Sequence, residues 1–144
     1  RDAAKCLGYA EKDKNFIDGD YSICVDEKHM ENVRERYGFT NLITTLRKSI
    51  SASDNGWSGA VCSESGLYQG SGYNLHIVDR VGGGDSFAAG VLHGILTHME
   101  PDRALEFALA AAAIKHTIPG DLNYISEEEV LTLMNSDGSG RVNR

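Results

Sequence analysis

Residues 79–87 read DRVGGGDSF, an order of residue types that suits the handling of a phosphate group. Three consecutive glycines, Gly82, Gly83 and Gly84, stop at one acid, Asp85, and an apolar Ala/Gly-rich segment follows directly. A glycine turn that opens a helix leaves backbone N–H groups without intrahelical acceptors, at the positive end of the helix dipole. Lacking Cβ atoms, such a backbone can approach an anion closely. A carboxylate beside those amides can take the proton of an attacking hydroxyl while the amides absorb developing negative charge. The bland alternative is an ordinary loop whose Asp85 caps the helix. The stretch is not a P-loop, since no Gly-Lys-Ser/Thr follows, and Gly-x-Gly-x-x-Gly is absent as well.

Elements on either side must hold this turn. Residues 25–39 have helical spacing, with Val25, His29 or Met30, Val33 and Tyr37 on one side and Gly38 as a stop. Residues 40–46 are short, apolar and β-branched, as in a buried strand, and the helix–strand order points to an α/β protein. Residues 47–56 read as a polar loop. Residues 57–63 and 72–78 read as strands of an antiparallel hairpin or ribbon around the turn-rich ESGLYQGS.

An apolar helix is expected over 84–98, and Pro101 suits the first turn of another that runs to about Thr117. Pro119-Gly120-Asp121 breaks it, and Ser126 with Glu129 forms a capping box for a last helix over 126–134. Residues 2–7 look like a helix end closed by Gly8, and the tail after 134 is polar. Ala108 and Ala110–Ala113, with Gly90 and Gly94, favour close helix packing, and Trp57 and Tyr68 read as packing residues.

The chain has 144 residues, enough for one domain with a core. A formal net charge of −7 argues against nucleic acid or an anionic membrane as the main partner. Cys6, Cys24 and Cys62 are scattered without CxxC spacing, which suits reduced cytosolic thiols rather than a disulfide framework or a zinc site.

DRVGGGDSFAAG resembles the signature of the ribokinase-like (PfkB) sugar kinases, and three further stretches agree with it in order: 44–61, 114–130 and the terminal GSGRVNR. The resemblance implies a Rossmann-like three-layer α/β/α fold, with residues 1–144 as its C-terminal nucleotide-binding and catalytic part. It implies ATP with Mg²⁺ as co-substrate and a sugar acid as acceptor, phosphorylated on its terminal hydroxyl. The arginine in second place and the triple glycine match the branch that acts on 2-keto-3-deoxygluconate. Ribose, fructose, a deoxy-inositol acid or a nucleoside stay open as acceptors, because none of these residues reads the sugar. A non-catalytic nucleotide-binding module is a further alternative.

By the same resemblance, Asp85 is the general base, and the amides of Gly82, Gly83 and Gly84 form the anion hole. Arg47 and Ser49 border the ATP phosphates, while Lys115, His116 and Gly120 border the nucleotide. Asp79 and Val81, with the 119–121 loop, hold a monovalent cation such as K⁺. Leu109 stands where many ribokinase-like proteins carry Asn, so adenine would be held by shape and apolar packing. The family's sugar-binding and lid residues would precede Arg1. The isolated piece is therefore expected to be inactive or weak alone, and prone to self-association through the surface its N-terminal half would cover, while the scattered thiols make it a cytoplasmic protein by expectation.

Overall fold

Asp26 begins the first helix, α1 (Glu27–Tyr37), by accepting a hydrogen bond from the His29 amide at 3.2 Å. Gly38, in the left-handed region at φ 66°, ends it. The computed structural model describes residues 25–136, so the expected helix end at 2–7 and the polar tail lie outside the described residues.

The next strands are longer than their apolar residues suggest. β1 (Leu42–Ser49) and β2 (Asp54–Ser63) pair antiparallel from Leu42↔Cys62 to Ser49↔Asn55. The expected loop over 47–56 therefore shrinks to a turn at 50–53. There the Ser51 hydroxyl donates to the Asp54 carboxylate at 2.7 Å and accepts the Asp54 amide at 2.9 Å. The ladder carries the chain past polar residues because its bonds are made by the backbone alone.

β3 (Gly66–Gln69), inside the stretch expected to be a turn, pairs with residues 60–63 of β2, and β4 (Tyr73–His76) pairs with residues 54–57; the antiparallel pairing is as expected, but the expected turn carries a strand of its own. Connections this short cannot make the crossovers that parallel strands need.

Side chains alternate across β2, and each face has its own cover. Ala60 and Cys62 pack with Met30 of α1 and with Leu42 and Leu46. Trp57 and Val61 face the larger core, built with Leu105, Leu109 and Ile114. Helix, sheet and helices thus form three layers.

The far layer contains α2 (Gly83–Leu96), α3 (Pro101–Lys115) and α4 (Glu127–Met134). Ser126 and Glu129 make the expected reciprocal capping box of α4. From Phe107 to Ile114, α3 is buried on every side, which is why that stretch is apolar all round. Small residues set its distance from α2. A Cβ at Gly90 would come 2.6 Å from Ala108 Cα, and one at Gly94 would come 2.5 Å from Ala104 Cβ. Leu109 is fully buried, with its side chain against Gly59 of β2 and Gly70 just beyond β3.

Among the described residues, no helix is long and apolar enough to cross a membrane. Gly90→Val should force α2 off α3 and destabilise the fold by about 2–3 kcal/mol. Urea unfolding measures this, and a loss below about 0.5 kcal/mol would refute the close-packing account.

Candidate active site

The glycine turn is the N-terminus of α2. Gly82 is its N-cap, at φ 77° and ψ −2°, and no side chain caps the helix. Asp85, three residues on, is therefore not the capping residue. The Gly83 amide reaches back to the Arg80 carbonyl over 3.4 Å. The amides of Gly84 and Asp85 lie in the first turn, where a helix supplies no acceptor. Of the three glycine amides of the expected anion hole, that of Gly84 is thus better placed to donate outward than that of Gly83. The space around Gly84 is open, since a Cβ built there meets nothing within 4 Å. Asp85 is exposed on the same turn.

Two side chains from the end of α3 brace this turn from below. His116 is buried, and its Nδ1 lies 2.6 Å from the Ala112 carbonyl, so that nitrogen carries the proton. Its ring packs beneath Gly83, where a Cβ would come 2.7 Å from Cε1, and lies 5.1 Å from the Trp57 ring. The His116 carbonyl accepts from the Val78 and Asp79 amides at 2.9 and 3.3 Å, tying α3 to the approach of the turn. Burial pushes the His116 pKa below its ordinary value, outweighing the Ala112 hydrogen bond, and Lys115, Arg47 and Arg80 lower it further.

Lys115 is fully buried, and its Nζ donates to the carbonyls of Gly120 at 2.7 Å and Ile118 at 3.3 Å. Asp79 closes the assembly, accepting the Val81 amide at 3.0 Å on one oxygen and the Gly120 amide at 2.8 Å on the other. These backbone hydrogen bonds, from Val81 first and then Gly120, hold its carboxyl below the usual range, with a smaller contribution from Lys115.

The expected residues Gly82–Gly84, Asp85, Asp79, Lys115, His116 and Gly120 therefore converge on one structure. Val81 contributes its amide, while its side chain is exposed. Arg47 is exposed on β1 directly across the ladder from Trp57, close enough to influence His116. Ser49 lies two residues farther along the same face of the strand, also exposed.

Lys115 and His116 sit inside the protein, under the turn rather than on a nucleotide-facing surface. Sequence reasoning gave no structural role to Arg80, Ser86 or Asn123, although Arg80 and Ser86 lie within DRVGGGDSF. Ser86 is buried and accepts the Asn123 side-chain amide at 2.9 Å, joining α2 to the segment before α4. Arg80 donates to the Ala52 carbonyl at 2.8 Å, joining the turn to the β1–β2 hairpin. An anion hovering over Gly84 would thus meet unpaired amides within a neighbourhood that holds Arg47, Arg80 and Lys115.

Residues 53–127 match the model of the pfkB family of carbohydrate kinases. The structure is similar to that of 2-dehydro-3-deoxygluconokinase from Thermotoga maritima, with a TM-score of 0.80 and 38% identity over 92% of this chain and 38% of the other. In sequence it is 29% identical over 86 residues to 2-dehydro-3-deoxygalactonokinase of Haloferax volcanii, covering 59% of this chain and 27% of the relative. It is 41% identical over 66 residues to an ATP-dependent ribose-1-phosphate kinase of Halopiger xanaduensis, covering 45% of this chain and 22% of the relative. This chain belongs to the pfkB family of carbohydrate kinases and has its ribokinase-like fold. It spans about a quarter of the length of the curated relatives and about two fifths of the solved one.

The lowered His116 pKa gives a pH dependence. The unfolded chain takes up a proton on this imidazole at a higher pH than the folded chain does. Stability is therefore complete above the unfolded value, about 6.5, and falls as pH drops toward the folded value. Urea unfolding at pH 7.5 and 5.5 should show this loss. His116→Asn, whose Nδ2 can replace Nδ1 toward Ala112 without titrating, should lose less over the same interval. An equal loss in the variant would refute the assignment.

Proposed function

We propose that this chain is the phosphoryl-transferring part of an ATP-dependent sugar kinase, with a 2-keto-3-deoxy sugar acid as the acceptor. The observation that carries the reading is the first turn of α2, where unpaired amides under open space at Gly84 stand beside the exposed Asp85 carboxylate. Gly82 has its own conformational reason, a positive φ, and Gly83 lies against His116. Gly84 has neither. A glycine inside a helix costs about 1 kcal/mol relative to alanine, so close approach by a ligand supplies the missing reason.

In this reading the Gly82–Gly84 turn receives the transferring phosphoryl group. Asp85 accepts the proton of the sugar hydroxyl as its oxygen becomes the nucleophile. Arg47 and Ser49, from the sheet side, border the remaining phosphates, and Gly120 borders the nucleotide. Leu109 is buried in the core against the sheet, so that position does not reach the base. Bound Mg²⁺ would neutralise charge on the ATP phosphates.

The sugar-acid acceptor is supported by two relatives named for 2-dehydro-3-deoxy sugar acids. The ribose-1-phosphate kinase relative, more identical over a shorter stretch, supports a second reading with a different sugar acceptor. Residues 1–144 would then be the C-terminal part of a longer kinase, with the acceptor chosen mainly by residues outside it. A panel of sugar acids and pentose phosphates offered to the complete enzyme separates the two readings.

Two substitutions in that enzyme test the mechanism. Asp85→Asn should lower turnover by about 10²–10⁴-fold and leave ATP affinity nearly unchanged, and undiminished turnover would sink the role of Asp85 as base. Gly84→Ala should keep or slightly raise the melting temperature, because its Cβ meets no protein atom, while phosphoryl transfer drops by at least about tenfold. Unimpaired transfer would show that Gly84 has no ligand above it.

A further inference from the structure

Lys115 ends α3 with a relative exposure of 0%, and its Nζ donates to two backbone carbonyls, Gly120 at 2.7 Å and Ile118 at 3.3 Å. Enclosing an ammonium is costly unless oxygens replace its water, and neutral carbonyls at this spacing do so. The surroundings complete a cage. Gly120, whose carbonyl takes the shorter bond, sends its amide to Asp79, and the Lys115 charge helps to hold the Asp79 carboxyl ionised. On the remaining side, Lys115 Cε lies 3.1 Å from the position a Gly82 Cβ would occupy.

A carboxylate, inward-facing carbonyls and an enclosed position are the donor set of an alkali-cation site, and the family resemblance places a monovalent cation at Asp79, Val81 and the 119–121 loop. That ion does not fit the site as it stands. The carbonyls of Ile118 and Gly120 point at Nζ, and both Asp79 oxygens accept backbone amides.

We infer that the Lys115 ammonium takes the place of the monovalent cation, as a charge tethered to the chain, and that this protein is indifferent to K⁺. The tethered charge fixes the 118–120 turn and places a positive charge behind the α2 N-terminus. Its effect on phosphoryl transfer rests on the kinase reading. Its cation chemistry does not.

Thermal melting tests the cation chemistry without a kinase assay. The chain is melted at matched ionic strength in potassium, sodium and choline chloride, each at about 0.1 M. Wild type should melt within about 1 °C in all three, and a rise of about 4 °C or more confined to potassium or sodium overturns the inference. Lys115→Ala removes the ammonium and leaves room for an ion. It should melt lower in choline and recover selectively in potassium or sodium, and equal destabilisation in all three salts overturns the inference. Where the variant yields no folded protein, the wild-type comparison decides alone.

Turnover of the complete enzyme separates this inference from the kinase reading. Transfer that requires K⁺ refutes the tethered cation alone. Absence of transfer, with melting indifferent to the cation, refutes the kinase reading alone.

Discussion

The candidate site depends on how the chain after α3 is held beneath the start of α2. Gly120 is the junction: its amide goes to Asp79, before the glycine turn, and its carbonyl goes to Lys115, at the end of α3. One residue thereby ties together two segments some forty positions apart. The bonds need Gly120 at φ 79°, a conformation that glycine adopts without strain. With that junction in place, the Asp121 carbonyl comes to lie 3.0 Å from where a Gly82 Cβ would be, and the turn can only be made by glycine. The open amides of α2 thus follow from a constraint located mostly in other parts of the sequence.

The overall charge of −7 and the proposed anion cradle are compatible because the positive charge is local. Arg47 comes from β1, Arg80 from the approach to the turn and Lys115 from α3, and all three act on His116. The buried imidazole answers by staying neutral. A neutral His116 can pack under Gly83 without adding a fourth positive charge to an already cationic neighbourhood, and its Nδ1 proton serves α3 rather than a ligand. Its position makes it a brace for the turn.

Much of this was legible in the residues, for identifiable physical reasons. The capping box at Ser126, the stop at Gly38 and the start at Pro101 are local, and the structure has each of them in place. DRVGGGDSF was legible because few functions require three glycines and an acid at a helix start. The strand character of residues 47–49 was not legible, because their polar side chains lie on a ladder whose stability comes from backbone pairing with residues 55–57. The burial of Lys115 was equally hidden. A lysine at a helix C-terminus usually faces solvent and complements the dipole. Only the fold shows that the chain doubles back, so that the carbonyls of residues 118 and 120 enclose the ammonium.

Small residues link the core to this chemistry. Gly90 and Gly94 let α2 lie against Ala108 and Ala104 of α3, and the same contact sets how far apart the two helices stand where the site is formed. The N-terminus of α2 and the C-terminus of α3 meet there, positive end against negative end. Carbonyls at the end of α3 and in the turn beyond it collect donors from Lys115, Val78 and Asp79, while amides at the start of α2 remain free. The helix that ends here is satisfied within the protein, and the helix that starts beside it begins unsatisfied. That asymmetry, set by glycine and alanine spacing, leaves a place for an anion in an otherwise acidic chain.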